Sequence, residues 1–432
     1  MAGLSADSRH HEQRGFGRDV ALFAGLFGLI ILVAFVQGSP YALRMTVEAF
    51  AYALIAIGLN IQWGYAGLFN VGIMGLILAG SFASLFVSFP VNAAFWASDA
   101  APQLGMAFLW LILAVVIVGL ISQSWRVGVP KGLSTALTII SGAIAFMVIQ
   151  SVFDAPTTAV ERQAGWIGGL GLHPLVGWAA AGLVAGLISW VIGKICLGLR
   201  ADYLAIATLG IAQIIKTFLR NADWLTRGTL TVSPLPWPVP TPLDVGFLWG
   251  RSYYLALSAA LLLVVYLLIQ RAYHAPWGRM MRAIRDNEAA AASMGKNVNG
   301  RRLEIFVLGG ALMGIGGALL VHFNQLFDPA GFVDLNHTFV VWVMVILGGA
   351  GNNRGAIFGA VFVYIVWVMS EPAATALFRL ASDLGRDWFD WVPPADLQSR
   401  ALQMRVFVIG LTITLVLRFA PHGVLPERIA RG

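Results

Sequence analysis

The 432-residue sequence predicts an all-α polytopic membrane protein of about 10–12 transmembrane helices, and three observations predict it. Hydrophobic residues make up 58% of the chain and charged residues 11%, against about 25% charged in an ordinary soluble domain. So few charges cannot cover a water-facing surface. Twelve segments then carry mostly apolar runs of the kind that cross a bilayer as helices, about 20 residues when full length. None of them alternates with period two, so a β-barrel is not supported. Soluble enzymes, nucleic-acid binders and secreted disulfide scaffolds are excluded together, and the net charge of +7 reads as a report on topology.

In chain order the spans are 20–37, 46–62, 70–89, 104–122, 133–153, 175–193, 203–219, 252–270, 303–322, 338–350, 356–370 and 401–419. The first follows a polar, basic stretch with no small-x-small cleavage site after it, and so reads as an uncleaved span. With the N-terminus inside and the spans alternating, eighteen of the 28 Lys and Arg fall inside and nine outside. That bias puts both termini in the cytoplasm and makes the number of spans even. The expected organisation is a cytoplasmic tail at 1–18, a transmembrane domain at 19–420 and a cytoplasmic tail at 421–432. Segments 221–252 and 371–400 lie outside, and 371–400 carries five acids, Asp390 and Asp396 among them.

The loops hold two unusual stretches. Pro234, Pro236, Pro238, Pro240 and Pro242 alternate with other residues and favour an extended backbone, as a docking arm or as a stiff linker. The inner loop 271–302 carries Arg282, Arg285 and Asp286 at helical spacing, then four alanines from Ala289 to Ala292, then Gly295. Alanines favour helix and a glycine offers a stop, so a short surface helix is expected, charged on one side and small on another. Its small face suits docking to a cytoplasmic partner.

Two Gly-x-Ala-Gly breaks interrupt the membrane region, one at Gly64 and Gly67 after Asn60, the other at Gly348, Gly349 and Gly351. Broken backbone at membrane depth is buried in protein or lines a wet cavity. Each break is therefore either a tight interhelical turn or part of a pathway. Asn60, Gly64, Gly67, Asn70, Gly348, Gly349 and Gly351 are the candidate path residues. Gly309, Gly310, Gly314, Gly316 and Gly317 form a small-residue face that permits close helix approach.

Acids are nearly missing from the spans, so the carboxylate relay of a proton- or sodium-coupled carrier is absent. His173, His322 and His337 read as surface or interfacial residues, without a second ligand at metal spacing. Neither a phosphate loop ending in Gly-Lys-Ser/Thr nor a nucleophile elbow is present. No catalytic residue, metal site or cofactor is expected. The single cysteine, Cys196, excludes an internal disulfide.

Several segments together resemble the permeases of branched-chain amino acid ABC transporters. Residues 58–67 (GLNIQWGYAG) are similar to that family's GLNLLVGYAGL, and 199–209 (LRADYLAIATL) to its LRGxYFAIxTL. Residues 278–295 (GRMMRAIRDNEAAAASMG) resemble its GRALRAIRENExAAxALG, while 345–351 with 355–360, and 418–425, resemble its later glycine-rich and closing motifs. The resemblance runs from about Tyr41 onward. It implies a non-enzymatic permease subunit of a binding-protein-dependent, ATP-driven importer in a bacterial inner membrane. It implies a second permease, two cytoplasmic ATPases, a periplasmic binding protein and surrounding lipid as partners, and no nucleic acid. Arg282, Arg285, Glu288, Ala290 and Gly295 are the residues it implies for ATPase coupling. Region 90–194 holds more apolar material than the family pattern, which implies an extra helical pair including 133–153. Branched-chain or other apolar amino acids are the expected solutes; urea, short amides or aromatic acids, or an energy-independent channel, are the alternatives.

Overall fold

The computed structural model describes residues 3–389 and 397–427, with side chains described from residue 17 onward except 385, 389 and 397–402. Asp390 and Asp396 of the acidic segment, and 428–432 of the last tail, lie outside the described residues. Among those described there is no strand, only two isolated bridges.

All twelve apolar segments are helical. In order they are α1 (Gly3–Gln37), α2 (Ser39–Leu59), α3 (Ile73–Ser88), α4 (Ala100–Ser122), α5 (Lys131–Gln163), α6 (Pro174–Cys196), α7 (Ala201–Asn221) and α8 (Phe247–His274). After two surface helices, α9 (Pro276–Asp286) and α10 (Glu288–Ser293), come α11 (Val298–Asn324), α12 (Val340–Gly348), α13 (Asn353–Phe389) and α14 (Leu397–Phe419). Among the described residues nine helices are long and apolar enough to cross a membrane, and two more apolar ones, at Ile73–Ser88 and Leu335–Gly348, are shorter. The chain is a multi-pass membrane protein.

Several helices differ in extent from the apolar runs, α1 and α5 reaching well beyond theirs. The helix α13 continues through Pro372 for 37 residues, about 55 Å at 1.5 Å per residue, and so runs on past a hydrocarbon layer of about 30 Å. Helix α2 extends to Tyr65 through a wide π turn, Asn60–Tyr65. Helix α12 is preceded by a second π turn, Leu335–Phe339.

The core is built on α2 and α11. Every residue from Val47 to Ile61 is buried except Phe50. The glycines of α11 do not form one face but serve three neighbours. A Cβ on Gly316 would lie 3.0 Å from the Ala51 carbonyl of α2, one on Gly314 2.6 Å from the Ala181 carbonyl of α6, and one on Gly317 2.5 Å from the Ile77 carbonyl of α3. Without side chains at these positions three helices approach the same axis, which is how small residues substitute for a hydrophobic driving force in lipid.

His322 corrects its expected place. It is fully buried, with its Nε2 2.8 Å from the Ser88 hydroxyl while the Trp178 indole donates to its Nδ1 at 3.1 Å. It ties α3 and α6 to α11. A polar ring inside a bundle needs such partners, and a position at the end of an apolar run does not show whether neighbours close over it. His337 is half-buried, its ring tilted against those of Tyr52 and Phe332; His173 is exposed and caps α6.

The proline-rich loop is neither a free arm nor a bare linker. Val232 bridges Phe327, Leu235 donates to the Gln325 carbonyl at 3.2 Å, and Trp237 stacks on Phe323. It folds over the end of α11. At the opposite end Arg18 donates to the Val424 carbonyl at 3.1 Å, so the described beginning and end of the chain meet at one end of the bundle. Arg271, Arg279, Arg282 and Arg285 lie at this same basic end.

Helices α4 and α5 form a hairpin at the periphery. Its buried residues are few: Ala100, Leu104 and Ala107 in α4, and Ser134, Pro156 and Val160 in α5. It joins the body through a small cluster around Phe95, Phe153 and Trp224, at the end away from the basic loops.

Candidate functional site

The first break begins where α2 widens. In the π turn the extra residue per turn lets Asn60 and Gln62, both fully buried, turn toward different neighbours. The Gln62 amide donates to the Phe306 carbonyl at 2.8 Å and accepts from Asn70 at 2.8 Å. Asn70 in turn accepts from the Gly72 backbone at 2.8 Å, and its carbonyl takes the Trp342 indole proton at 3.1 Å. Gly67 ends the segment at φ +67°.

The second break is closed by the C-terminal segment. Helix α12 ends with unpaired carbonyls, as every helix does. The backbone N–H groups of Val424 and Leu425 satisfy two of them, on Leu347 at 2.7 Å and Gly348 at 3.0 Å. The segment can lie this close because Gly349, at φ +108°, has no Cβ; one would fall 2.4 Å from the Leu425 carbonyl.

The two breaks meet. A Cβ on Gly64 would lie 2.4 Å from the Gly351 nitrogen. The Asn60 side chain accepts from Gly351 N–H at 2.9 Å and donates to Asn353 at 3.1 Å. The Tyr65 hydroxyl donates to the same Asn353 oxygen at 2.7 Å. Residues almost 300 positions apart thus share one polar knot inside an apolar bundle.

The amphipathic helix α9 lies against this knot, burying Met281 and Ile284. From it the Arg285 guanidinium reaches the Gly64 carbonyl and pairs with Glu427 at 2.8 Å. Glu427 also accepts from the Tyr273 hydroxyl at 2.8 Å, and Arg282 sits 4.3 Å over the Tyr273 ring. One Arg285 guanidinium nitrogen, Nη1, serves both the Gly64 carbonyl and Glu427 while Nε donates to Asp286 at 3.1 Å, a set of directions that the planar arginine fork holds fixed. A polar cavity of about 270 Å³ opens beside the knot between Gln270, Asn352, Arg354 and Glu427.

The surface helix expected at 278–295 is two helices. Asn287 breaks it with an extended backbone and caps α10 by accepting from Ala290 N–H at 3.0 Å. Arg282 and Arg285, on the charged side of that helix, turn inward, onto the Tyr273 ring and the Gly64 carbonyl. Glu288 pairs with Arg302 at 2.8 Å. Ala290 is exposed, Met294 beside it is 80% exposed, and Gly295 leaves at φ +76° into open space.

Of the candidate path residues, Asn60, Gly64 and Gly351 touch one another, Gly348 and Gly349 pack on Gly355 and Leu425 within the second break, Gly67 lies beside Arg285, and Asn70 is buried against Gln62. The polar groups of Asn60 and Asn70 are spent on the fold. What remains open beside them is an apolar hollow of about 290 Å³ walled by Trp63, Phe69, Val71, Trp342, Ile346 and Ile413. Sequence reasoning missed Gln62, Tyr273, Trp342, Asn353 and Glu427. A glutamine inside an apolar run was the one signal available. Among the described residues no group of His, Cys, Asp and Glu is placed to hold a metal.

Residues 124–417 match the family described as branched-chain amino acid transport system / permease component. The match begins between α4 and α5 and takes in nearly everything after. The probable branched-chain amino acid transport permease protein LivM of Methanocaldococcus jannaschii is 24% identical over 348 residues, 75% of this chain and 94% of its own. The high-affinity branched-chain amino acid transport system permease protein LivM of Escherichia coli is 31% identical over 205 residues, 43% of this chain and 48% of its own. The xylose transport system permease protein XylH of Escherichia coli is 26% identical over 282 residues, 60% and 63% of the two chains. No solved structure matches significantly.

Proposed function

The chain belongs to the branched-chain amino acid transport permease family, and on that premise we propose that it is one permease subunit of an ATP-driven importer for branched-chain or other apolar amino acids. A related permease completes the channel, two ATPases dock at the basic end and a binding protein delivers solute at the other. The basic end faces the cytoplasm, because Lys and Arg collect there; the membrane is a bacterial inner membrane. Segment 271–302 is the coupling loop, with tails at 1–18 and 421–432, segments 221–252 and 371–400 on the outer side, and 90–194 containing the added hairpin.

The observation that carries this reading is that one residue, Arg285, joins the surface helices to the first break and, through Glu427, to the segment closing the second. An ATPase that moves α9 and α10 moves both breaks, because the link is a short chain of packed and hydrogen-bonded groups with no slack loop in it. Ala290 and Met294 form the outward face that meets the ATPase, a small residue beside a flexible apolar one that adapts to a groove. Glu288 and Gly295 set the two ends of that face. The similarity to a xylose permease means that the scaffold does not choose the solute. The apolar hollow does favour an aliphatic side chain, since a sugar needs partners for its hydroxyls.

The test is transport by the reconstituted complex with Ala290→Trp. The substitution adds bulk on an exposed face and leaves the bundle untouched. The expected result is normal insertion with uptake and ATPase stimulation both lost. Uptake at the wild-type rate with the ATPase still bound refutes the docking assignment.

A further inference from the structure

The peripheral hairpin of α4 and α5 has a task that transport does not assign it. Its two helices touch near Phe108 and Phe153 and leave a cleft between them toward the basic end. That cleft is about 450 Å³, lined by Leu111, Val115, Gly119, Gly142, Phe146 and Ile149. At Ser122 it opens into a second hollow of about 470 Å³ where one cation and several hydroxyls join the lining: Trp125, Lys131, Ser134, Thr135 and Thr138. An apolar slot thus leads to a hydroxyl-rich mouth.

The charges at this mouth are all of one sign. No acidic residue occurs from Ala100 to Phe153, while Arg126 and Lys131 stand in the turn between the helices. Neither forms an ion pair among the described residues. Both lie over the Trp125 ring, at 5.5 and 5.9 Å from its centroid. A tryptophan at this level is an interfacial anchor, and unpaired cations there attract anionic headgroups.

We propose that the α4–α5 cleft is a binding site for one anionic phospholipid, with an acyl chain between Gly119 and Gly142 and the phosphate at Arg126 and Lys131. Charge decides the occupant. A neutral helix of a protein partner would fill the slot equally well but would leave both cations unanswered. The Ser134 hydroxyl at the same mouth accepts from Ser124 at 2.9 Å, which leaves its own proton for a phosphate or glycerol oxygen, while the Thr135 proton is held by the Lys131 carbonyl.

The test uses the full chain with its transport partners in mild detergent. Phosphatidylglycerol or phosphatidylcholine of identical chains is added, and retained lipid is counted by native mass spectrometry. The wild type is expected to retain the anionic lipid at least tenfold better. Each basic residue near an anionic headgroup contributes about fivefold, so Arg126→Gln with Lys131→Gln weakens binding about twenty-five-fold. Gly119→Leu and Gly142→Leu fill the slot, and a side chain beginning at either position meets no protein atom within 4 Å. They are expected to abolish retention with the two cations still present. Equal retention of the two lipids, or unchanged retention in the filled-cleft variants, overturns the proposal. So does a photoreactive residue at Gly119 that cross-links a polypeptide in place of lipid.

Discussion

Adding one methyl group at Gly64 should separate the two breaks. The Cβ of Gly64→Ala would lie 2.4 Å from the Gly351 nitrogen, 2.8 Å from Gly351 Cα and 2.8 Å from the Asn60 side-chain oxygen. Two of these are backbone atoms, so no rotamer relieves the clash and the 349–352 turn must move. Overpacking of this kind costs about 1–3 kcal/mol. The movement also breaks the bond from Gly351 N–H to Asn60 and strains the one from Asn60 to Asn353, and a buried polar group left unpaired costs about 1–3 kcal/mol. The combined loss is about 4 kcal/mol. The assay is heat inactivation in detergent, read as the fraction still monodisperse by size exclusion. The matched control is Gly119→Ala, which meets nothing within 4 Å and in a helix favours the fold by about 0.5–1 kcal/mol. Gly64→Ala should inactivate several degrees lower than wild type, the control at or above it. If the two variants inactivate together, the breaks do not press on each other and Arg285 has no joint to move.

Arg285→Gln and Glu427→Gln should each lower uptake, and their combination should do little further harm, with a coupling energy of about 1–3 kcal/mol in a double-mutant cycle; independent effects would show that the pair is not one link. His322→Leu leaves the buried Trp178 indole without its acceptor, while Ser88 keeps its bond to the Ser84 carbonyl, and should cost about 1–3 kcal/mol of thermal stability. The pH profile of uptake should stay where it is, and a shifted profile would instead make His322 part of a proton relay. Gly295→Val should reduce uptake without lowering the inactivation temperature, because a β-branched residue disfavours φ +76° in a position with ample space. Gly295→Asn, which tolerates that backbone, should preserve uptake; equal loss in both would place the effect in side-chain volume.

The helices were legible in the sequence because lipid imposes a single rule on all of them. An apolar run of sufficient length has nowhere else to satisfy its backbone, so twelve runs became twelve helical segments. The surface helix at 278–295 was legible as helix but not as two. Its break depends on Asn287 choosing to cap Ala290 N–H, and an asparagine inside an alanine-rich run gives equal warrant for capping and for continuing. The Arg18 to Val424 bond brings the first span and the segment after the last one to the same end of the bundle.

Asn60 shows why the site itself was less legible. A polar residue at that depth announces only that it has partners. It does not say whether those partners are solute, water or protein, and here they are Gly351 and Asn353, supplied by the other break. Nothing local to either segment encodes the pairing. The same holds for Glu427, which in sequence belongs to a tail and in space holds Arg285. The glycines at 64 and 351 were visible as places where the chain could bend; that each is small because the other is there is a property of the pair. Two turns that press on one another and share one arginine cannot move separately. Displacing α9 by a fraction of a helical turn must break the Asn60 bonds or carry α2 and the start of α13 along together. The bonds are buried and costly to break, so moving together is the cheaper course. A loop helix can therefore act on two distant spans at once.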